Sequence, residues 1–518
     1  MLSRLCILIA LLLPAAIVPA RAETVLRARL NADILSPDPG MRRDENTDAV
    51  LLHVVEGLVA YRADGSVGPM LASGWTVSPD GRTYRFALRR GIRFHNGEPL
   101  TAGAVKWSLD RYFAPDSSWR CKSAFGANGI ARVLSVAAPD PDTVVVTLDR
   151  AAPLFLKTLA RTDCGETGIV ARASVGRDGV WRFPIGTGPF RWGVWRRNQY
   201  IDLVRFPGYR PLPGPPDGNC GGKRALVDRV RFSIIPDGSA ASAALLRGSL
   251  DVLDELAPNE LGNVRGVPGI NVLSAPTSDF FALLFQARNP LIHDARLRRA
   301  IALAIDDAAL ARVVGHGAAV ANSSPIPVTS PFHGRVEAPL IGQNLPLARR
   351  LVKASGYRGQ EIQLITNRRY PQGFDSAILI QAMARSVGIN MRIVTLDWAT
   401  QLARYESGDY QAMVFPFSAR LDPSFILDTL IGDGRADPHK VWYSPQARAL
   451  LKQSIETGPA AARQAIFDRL DRLFRREVPA VILFNDVRET AVRSDVDGFR
   501  VWPGGLQRLW NVGLKGRR

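Results

Sequence analysis

Residues 56–111 read EGLVAYRADGSVGPMLASGWTVSPDGRTYRFALRRGIRFHNGEPLTAGAVKWSLDR. The stretch is organised by its turn formers. Asp64-Gly65 and Pro79-Asp80-Gly81 mark turns, because glycine reaches positive φ at little cost and aspartate bonds its own backbone. Between the turns Tyr84, Phe86 and Leu88 alternate with Thr83, Arg85 and Ala87, the period-2 spacing of a half-buried strand. After RFHNGEPLT (93–101) a helix is expected, with Thr101 as its cap and Val105 and Leu109 on one face. No catalytic constellation stands in the stretch.

This order resembles the signature region of the extracytoplasmic solute-binding proteins of family 5, the peptide-, dipeptide- and nickel-binding receptors of ABC importers. There E-G-L is followed by P-x-L-A-x-x-W, and then by S-x-D-G-x-x-Y-x-F-x-L-R-x-G-x-x-F-H-[ND]-G-x-P-x-T-A. The counterparts here are Glu56-Gly57-Leu58, PMLASGW at 69–75, and residues 78–102. Ala104 departs, since family members usually carry aspartate before Val105; the departure touches a local cap or ion pair rather than the fold.

Two further landmarks belong to the same resemblance. PIGTGPF (184–190) matches the string where the chain returns to the large lobe. Taken alone, Gly186-Thr187-Gly188 is a weak sign of a phosphate loop: a dinucleotide fingerprint needs another spaced glycine and a following helix, and this one runs into the strand pattern 190–195. RLRRAIALAID (296–306) is similar to V-R-x-A-[LI]-x-x-A-I-D, and 248–253 to a G-x-[LI]-D segment, with Asp251 and Asp254. The resemblance covers nearly all of 23–514.

Length and composition agree with an exported globular protein. The chain has 518 residues, 46% hydrophobic and 22% charged, enough for two or three domains. Residues 1–22 carry Arg4, an apolar run at 5–13 and Ala20-Arg21-Ala22, the pattern of a cleavable secretory signal peptide. Pro14 and Pro19 interrupt that run, which falls short of the ~20 residues needed to span a bilayer. Cys6 sits too early for a lipid anchor. The mature chain is expected to be soluble and periplasmic. Net charge is +18, and such a balance suits nucleic acid or anionic surfaces. Here the basic residues are scattered and no nucleic-acid-binding module accompanies them. A basic surface is the plain reading, and attraction of anionic solutes the functional one.

Secondary structure is expected in α/β order: a strand at 25–30, a polar loop at 31–48, a helix at 49–59, strands at 143–148 and 225–235, a helix at 240–247 and a strand at 280–286. A helix capped by Asp294 follows, and then helix and strand alternate at 347–356, 361–366, 375–387 and 391–397. The resemblance implies a two-lobed periplasmic binding protein fold, type II, with an extra subdomain. Residues 23–60, 183–274 and 486–518 would form the core of lobe I, 61–182 the extra subdomain and 275–485 lobe II. Such receptors close like a hinge, so binding residues should come from both lobes. Beyond the signal peptide stand Cys121, Cys164 and Cys220. An oxidising compartment permits a bridge. Cys121 and Cys164 fall in the same implied subdomain and are the favoured pair, closing a loop that would contribute about 3–4 kcal/mol.

The specificity segment implied by the resemblance is VFPFSARLDPSF (414–425). Peptide-binding members place an aspartate four residues before the proline, where it pairs with the peptide's ammonium; that position here is Ala419, before Asp422 and Pro423. Arg420 beside it is a planar donor suited to carboxylate or phosphate. An anionic group held by Arg420 is therefore the expectation, with a surface or interlobe salt bridge as the alternative. Phe415 and Phe417 either stack on the solute or belong to the core. Arg161 and the first-loop stretch from Asp44 to Asp48 are further cleft candidates, with solvated charges as the alternative. The six histidines form no His-Glu-x-x-His or close cluster, so no metal and no cofactor is expected. The chain shows no Gly-x-Ser-x-Gly elbow and no Gly-x-x-x-x-Gly-Lys loop. The reading is a non-enzymatic, monomeric receptor that delivers a peptide or a small anionic solute to a permease. An exported hydrolase, or a chaperone on the same fold, is the alternative.

Overall fold

The computed structural model describes residues 23–42, 44–126, 129–256, 260–502 and 504–516; the expected signal peptide, 1–22, lies outside them. The backbone of the molecule is an eleven-stranded sheet. Two long strands, Ile270–Phe285 and Ala480–Arg493, run antiparallel through its middle. Their opposite ends serve different neighbours. Phe280–Phe285 pairs with Ala412–Phe417, which leads on to Ile362–Asn367 and Met391–Leu396. At the other end Ala491 and Val492 pair with Val252–Leu253, beside Val25–Leu30, Arg229–Ile234, Tyr200–Arg205 and Phe190–Arg196. The two long strands thus cross between the two halves of the sheet, the chain path of a two-lobed α/β binding protein.

A separate four-stranded antiparallel sheet is built from Ala72–Val77, Thr83–Leu88, Thr143–Leu148 and Val133–Asp140. Tyr84, Phe86 and Leu88 point inward while their neighbours are exposed or half-buried. Thr101 caps the helix Ala102–Phe113 by accepting the Ala104 N–H at 3.2 Å, and Val105 and Leu109 are buried. This core also holds Phe155, Leu159 and Cys164, so the segment after the sheet packs as part of the same subdomain.

Several expectations are corrected. The first helix is Glu45–Leu51 rather than 49–59, because the Asp44 carboxylate accepts the Thr47 N–H at 3.0 Å and starts the helix inside the polar loop. The strand expected over 225–235 is Arg229–Ile234. The first crossing strand extends well past the expected 280–286: its earlier half is only partly buried and is interrupted by Pro276, so its apolar run alone was visible. The Gly186-Thr187-Gly188 turn is a packing device. A Cβ on Gly186 would lie 2.0 Å from the Val54 carbonyl oxygen, and the Gly188 N–H donates to that oxygen at 3.0 Å.

Candidate functional site

Where the two long strands cross, their ladder is interrupted. Pro276 pairs with Val487 and Phe280 with Asn485, so residues 277–279 face only Asp486. Asp279 and Asp486 sit in this irregularity, and Glu45 and Glu255 approach from the other half of the sheet. One guanidinium serves the group: Arg488 donates to Glu255 at 2.7 Å, to Glu45 and to the Gly505 carbonyl. Asp279 accepts the Ala419 N–H at 2.6 Å, while the Asp486 carboxylate accepts the N–H of Val487 at 2.9 Å and its backbone carbonyl the Thr277 hydroxyl at 3.2 Å. A tight crevice of about 10 Å³ is lined by Glu45, Asn46, Asp254, Glu255 and Arg488 among others.

Carboxylates outnumber cations here, and their proton affinities show it. Burial pushes Glu45 up to about 8, with the charges of Glu255 and Asp279 adding to the rise. Burial and the neighbouring Asp279 charge push Asp486 up to about 7. Burial also raises Asp279 and Asp254. Glu255 alone is held below the usual range: its burial cost is outweighed by Arg488, with help from Arg29 and Arg369. The cluster is short of positive charge, and desolvation makes that shortage costly.

Beside the cluster the two halves of the molecule meet through Arg369. Its guanidinium donates to Asp44 at 3.3 Å and to Asn31 at 3.0 Å, and Asn31 in turn donates to Glu255. Sequence reading missed Arg369, Asp279 and Asp486, and reached Glu45 only as part of the first-loop stretch 44–48. The doublet Arg368-Arg369 after the strand Ile362–Asn367 was the available signal for the first. For Asp279 and Asp486 there was none, since they join residue 45 only through tertiary structure.

The residues nominated by sequence fall elsewhere. Phe415 and Phe417 turn into the core: Phe415 stacks on Tyr405 at 4.2 Å between centroids and Phe417 on Phe280 at 4.9 Å. Arg420 is 7% exposed and meets the Asp163 carboxylate at 3.0 Å, with further bonds to Ser418. Arg161 grips the same Asp163 at 3.0 and 2.7 Å. An anionic solute would reach Arg420 only in place of Asp163. Asp422 caps the helix Pro423–Leu430 and is bound by Arg463 and Lys157. Ala419 is buried and contributes its N–H to Asp279. Asp48 is buried on the first helix. Cys121 and Cys164 are bonded to each other, and Cys220 is a free, buried thiol. Among the described residues the one grouping with metal-ligand chemistry is Cys121, Asp163 and Cys164, whose two sulfurs are thus already joined. A larger depression of about 480 Å³, lined by Arg288, Gln363, Arg404 and Asp409 among others, includes none of these residues.

The pattern described as bacterial extracellular solute-binding proteins, family 5, matches residues 66–437. The chain belongs to this family. The dipeptide-binding protein of Escherichia coli K12 is 25% identical over 495 residues, covering 90% of each chain. Among solved structures, a dipeptide-binding protein from Pseudoalteromonas sp. SM9913 in complex with Met-Leu superposes with a TM-score of 0.85 at 20% identity, covering 95% of this chain and 100% of that one. An ABC transporter-associated periplasmic binding protein from Helicobacter pylori, in complex with the peptide STSA, gives 0.84 at 24% identity, covering 95% and 99%. As a family 5 member the chain is a two-lobed, substrate-binding receptor. No described helix is long and apolar enough to cross a membrane.

Proposed function

We propose that this receptor captures a short peptide, or a peptide-like zwitterion, in the periplasm and hands it intact to the permease of an ABC importer. The observation that carries the reading is the surplus of carboxylates at the crossing strands: Glu45, Asp279 and Asp486 share Arg488 with Glu255. A desolvated ammonium placed among them supplies the missing charge through charge-assisted bonds, and so takes over the task of the aspartate absent at Ala419. Arg369, already reaching between the two halves, suits the solute's carboxylate, which would displace Asp44. Solute then contacts both halves and favours the closed form by differential binding.

The test is a thermal-shift screen of the chain from Glu23 onward. Dipeptides and tripeptides are each offered free, N-acetylated and C-amidated, with opines and acidic sugars alongside. Binding to the native state raises the melting temperature by mass action. Free peptides should raise it, with acetylation and amidation each abolishing the shift. A shift with acidic sugars or opines and none with free peptides would overturn the zwitterion reading in favour of an anion at Arg420. Recovery of the solute unchanged after prolonged incubation separates a receptor from a hydrolase.

A further inference from the structure

The segment 157–163 of the small subdomain reaches the segment 420–425 of the opposite half, and the contact is ionic and buried. Lys157 meets Asp422 at 3.0 Å, Asp163 meets Arg420 at 3.0 Å, and the Arg161 guanidinium lies 4.7 Å above the centre of the Phe425 ring. The Asp163 and Arg420 side chains are 4% and 6% exposed. Both ends of this contact are held from behind. Arg420 is oriented by the Ser418 carbonyl at 2.7 Å and the Ser418 hydroxyl at 3.1 Å. Asp163 directly precedes Cys164, whose bond to Cys121 ties its loop to the subdomain core, and the Trp119 indole N–H donates to the Cys164 carbonyl at 3.0 Å. The loop is coiled tightly, with Gly165, Glu166 and Thr167 all at positive φ. Leu421 packs on the subdomain's hydrophobic core beside this contact.

We propose that Asp163, fixed by the Cys121–Cys164 bond, is a positioning residue for closure: it clasps Arg420 across the cleft and sets the closed population before any solute arrives. The proposal rests on the two-lobed, closing fold and not on the chemistry of the solute. Closing the cleft buries Arg420, and without a partner that charge would be stranded; Asp163, itself held by Arg161 at 3.0 and 2.7 Å, supplies the partner. The clasp is therefore favourable only when the loop presents Asp163 at the right place, which is the role of the disulfide. Solute binding then completes a closure that the protein has already begun, so less of the binding free energy is spent on moving the lobes.

The experiment uses solute-free protein from Glu23 onward and reads the radius of gyration by small-angle X-ray scattering, together with amide hydrogen exchange at 418–425. Asp163→Asn, Arg420→Gln and the double Cys121→Ser/Cys164→Ser variant are each expected to enlarge the particle and to speed exchange in that segment by about tenfold or more. The combined Asp163→Asn/Arg420→Gln protein should open no further than either single variant. An unchanged radius and exchange rate in Asp163→Asn, or independent additive effects of the two changes, overturns the proposal. Arg420→Gln leaves the disulfide loop untouched and serves alone if the serine variant fails to fold. Because no solute is present, a failure here is distinct from a failure of the peptide screen.

Discussion

Arg463 holds Asp422 through two parallel N–H···O bonds, at 2.9 and 2.5 Å. The same carboxylate caps a helix by accepting the Ser424 N–H at 3.1 Å and receives Lys157 at 3.0 Å. Against the cost of burial, these cations keep Asp422 below the ordinary carboxylate range. Asp422→Ala should therefore destabilise the fold by about 3–5 kcal/mol, the cost of stranding a buried partner. Chemical denaturation followed by circular dichroism checks this. A paired Asp422→Leu/Arg463→Met variant should lose clearly less.

Proton uptake at the crossing strands gives a pH signature. Folding raises Glu45 to about 8 and Asp486 to about 7, above their unfolded values of 4.5 and 3.8. The folded state thus binds more protons, so their contribution to stability shrinks as pH rises through this window. Solute-free protein should melt at a lower temperature at pH 8 than at pH 6.5, and Glu45→Gln should flatten the slope. An ammonium entering the cluster should expel protons, which calorimetry in buffers of different ionisation enthalpy detects as a buffer-dependent heat.

Cys220 is 3% exposed, donates to the Ala60 carbonyl at 3.1 Å, and is pushed up to about 12 by burial. A thiolate is the reactive form. With Cys121 and Cys164 bonded, a chain from Glu23 should show no thiol reactive toward Ellman's reagent when native and one when denatured. Two or three in the denatured state would contradict the bridge.

Gly186→Ala should be strongly destabilising, since its Cβ would meet the Val54 carbonyl at 2.0 Å and backbone cannot step aside. Overpacking of this kind typically costs about 1–3 kcal/mol or more. Gly97→Ala makes a useful contrast: it has φ +88° but nothing within 4 Å, so its cost is conformational alone. Parallel urea melts compare the two.

Sequence legibility followed locality. Thr101, Asp294 and the alternation of Tyr84, Phe86 and Leu88 each act within a few residues, so their roles could be read directly. Family motifs extended that reading to the lobes. Phe415 and Phe417 could be placed in a segment but not assigned to cleft or core, because their neighbours Tyr405, Trp398 and Phe280 come from other elements. Arg420 looked available as an anion anchor because nothing in its own stretch announces Asp163, some 250 residues earlier. The acidic cluster as a group was invisible for the same reason: Glu45, from the nominated first loop, meets Glu255, Asp279 and Asp486 only once two distant strands lie side by side.

The interrupted ladder opposite Asp486 has a mechanical meaning. Residues 277–279 carry no paired ladder partners of their own, so the two strands can swivel there without breaking regular pairing on either side. The break in the ladder and the titrating carboxylates occupy the same few residues, so charge arriving at Asp279 and Asp486 acts where the two strands are least tied to each other.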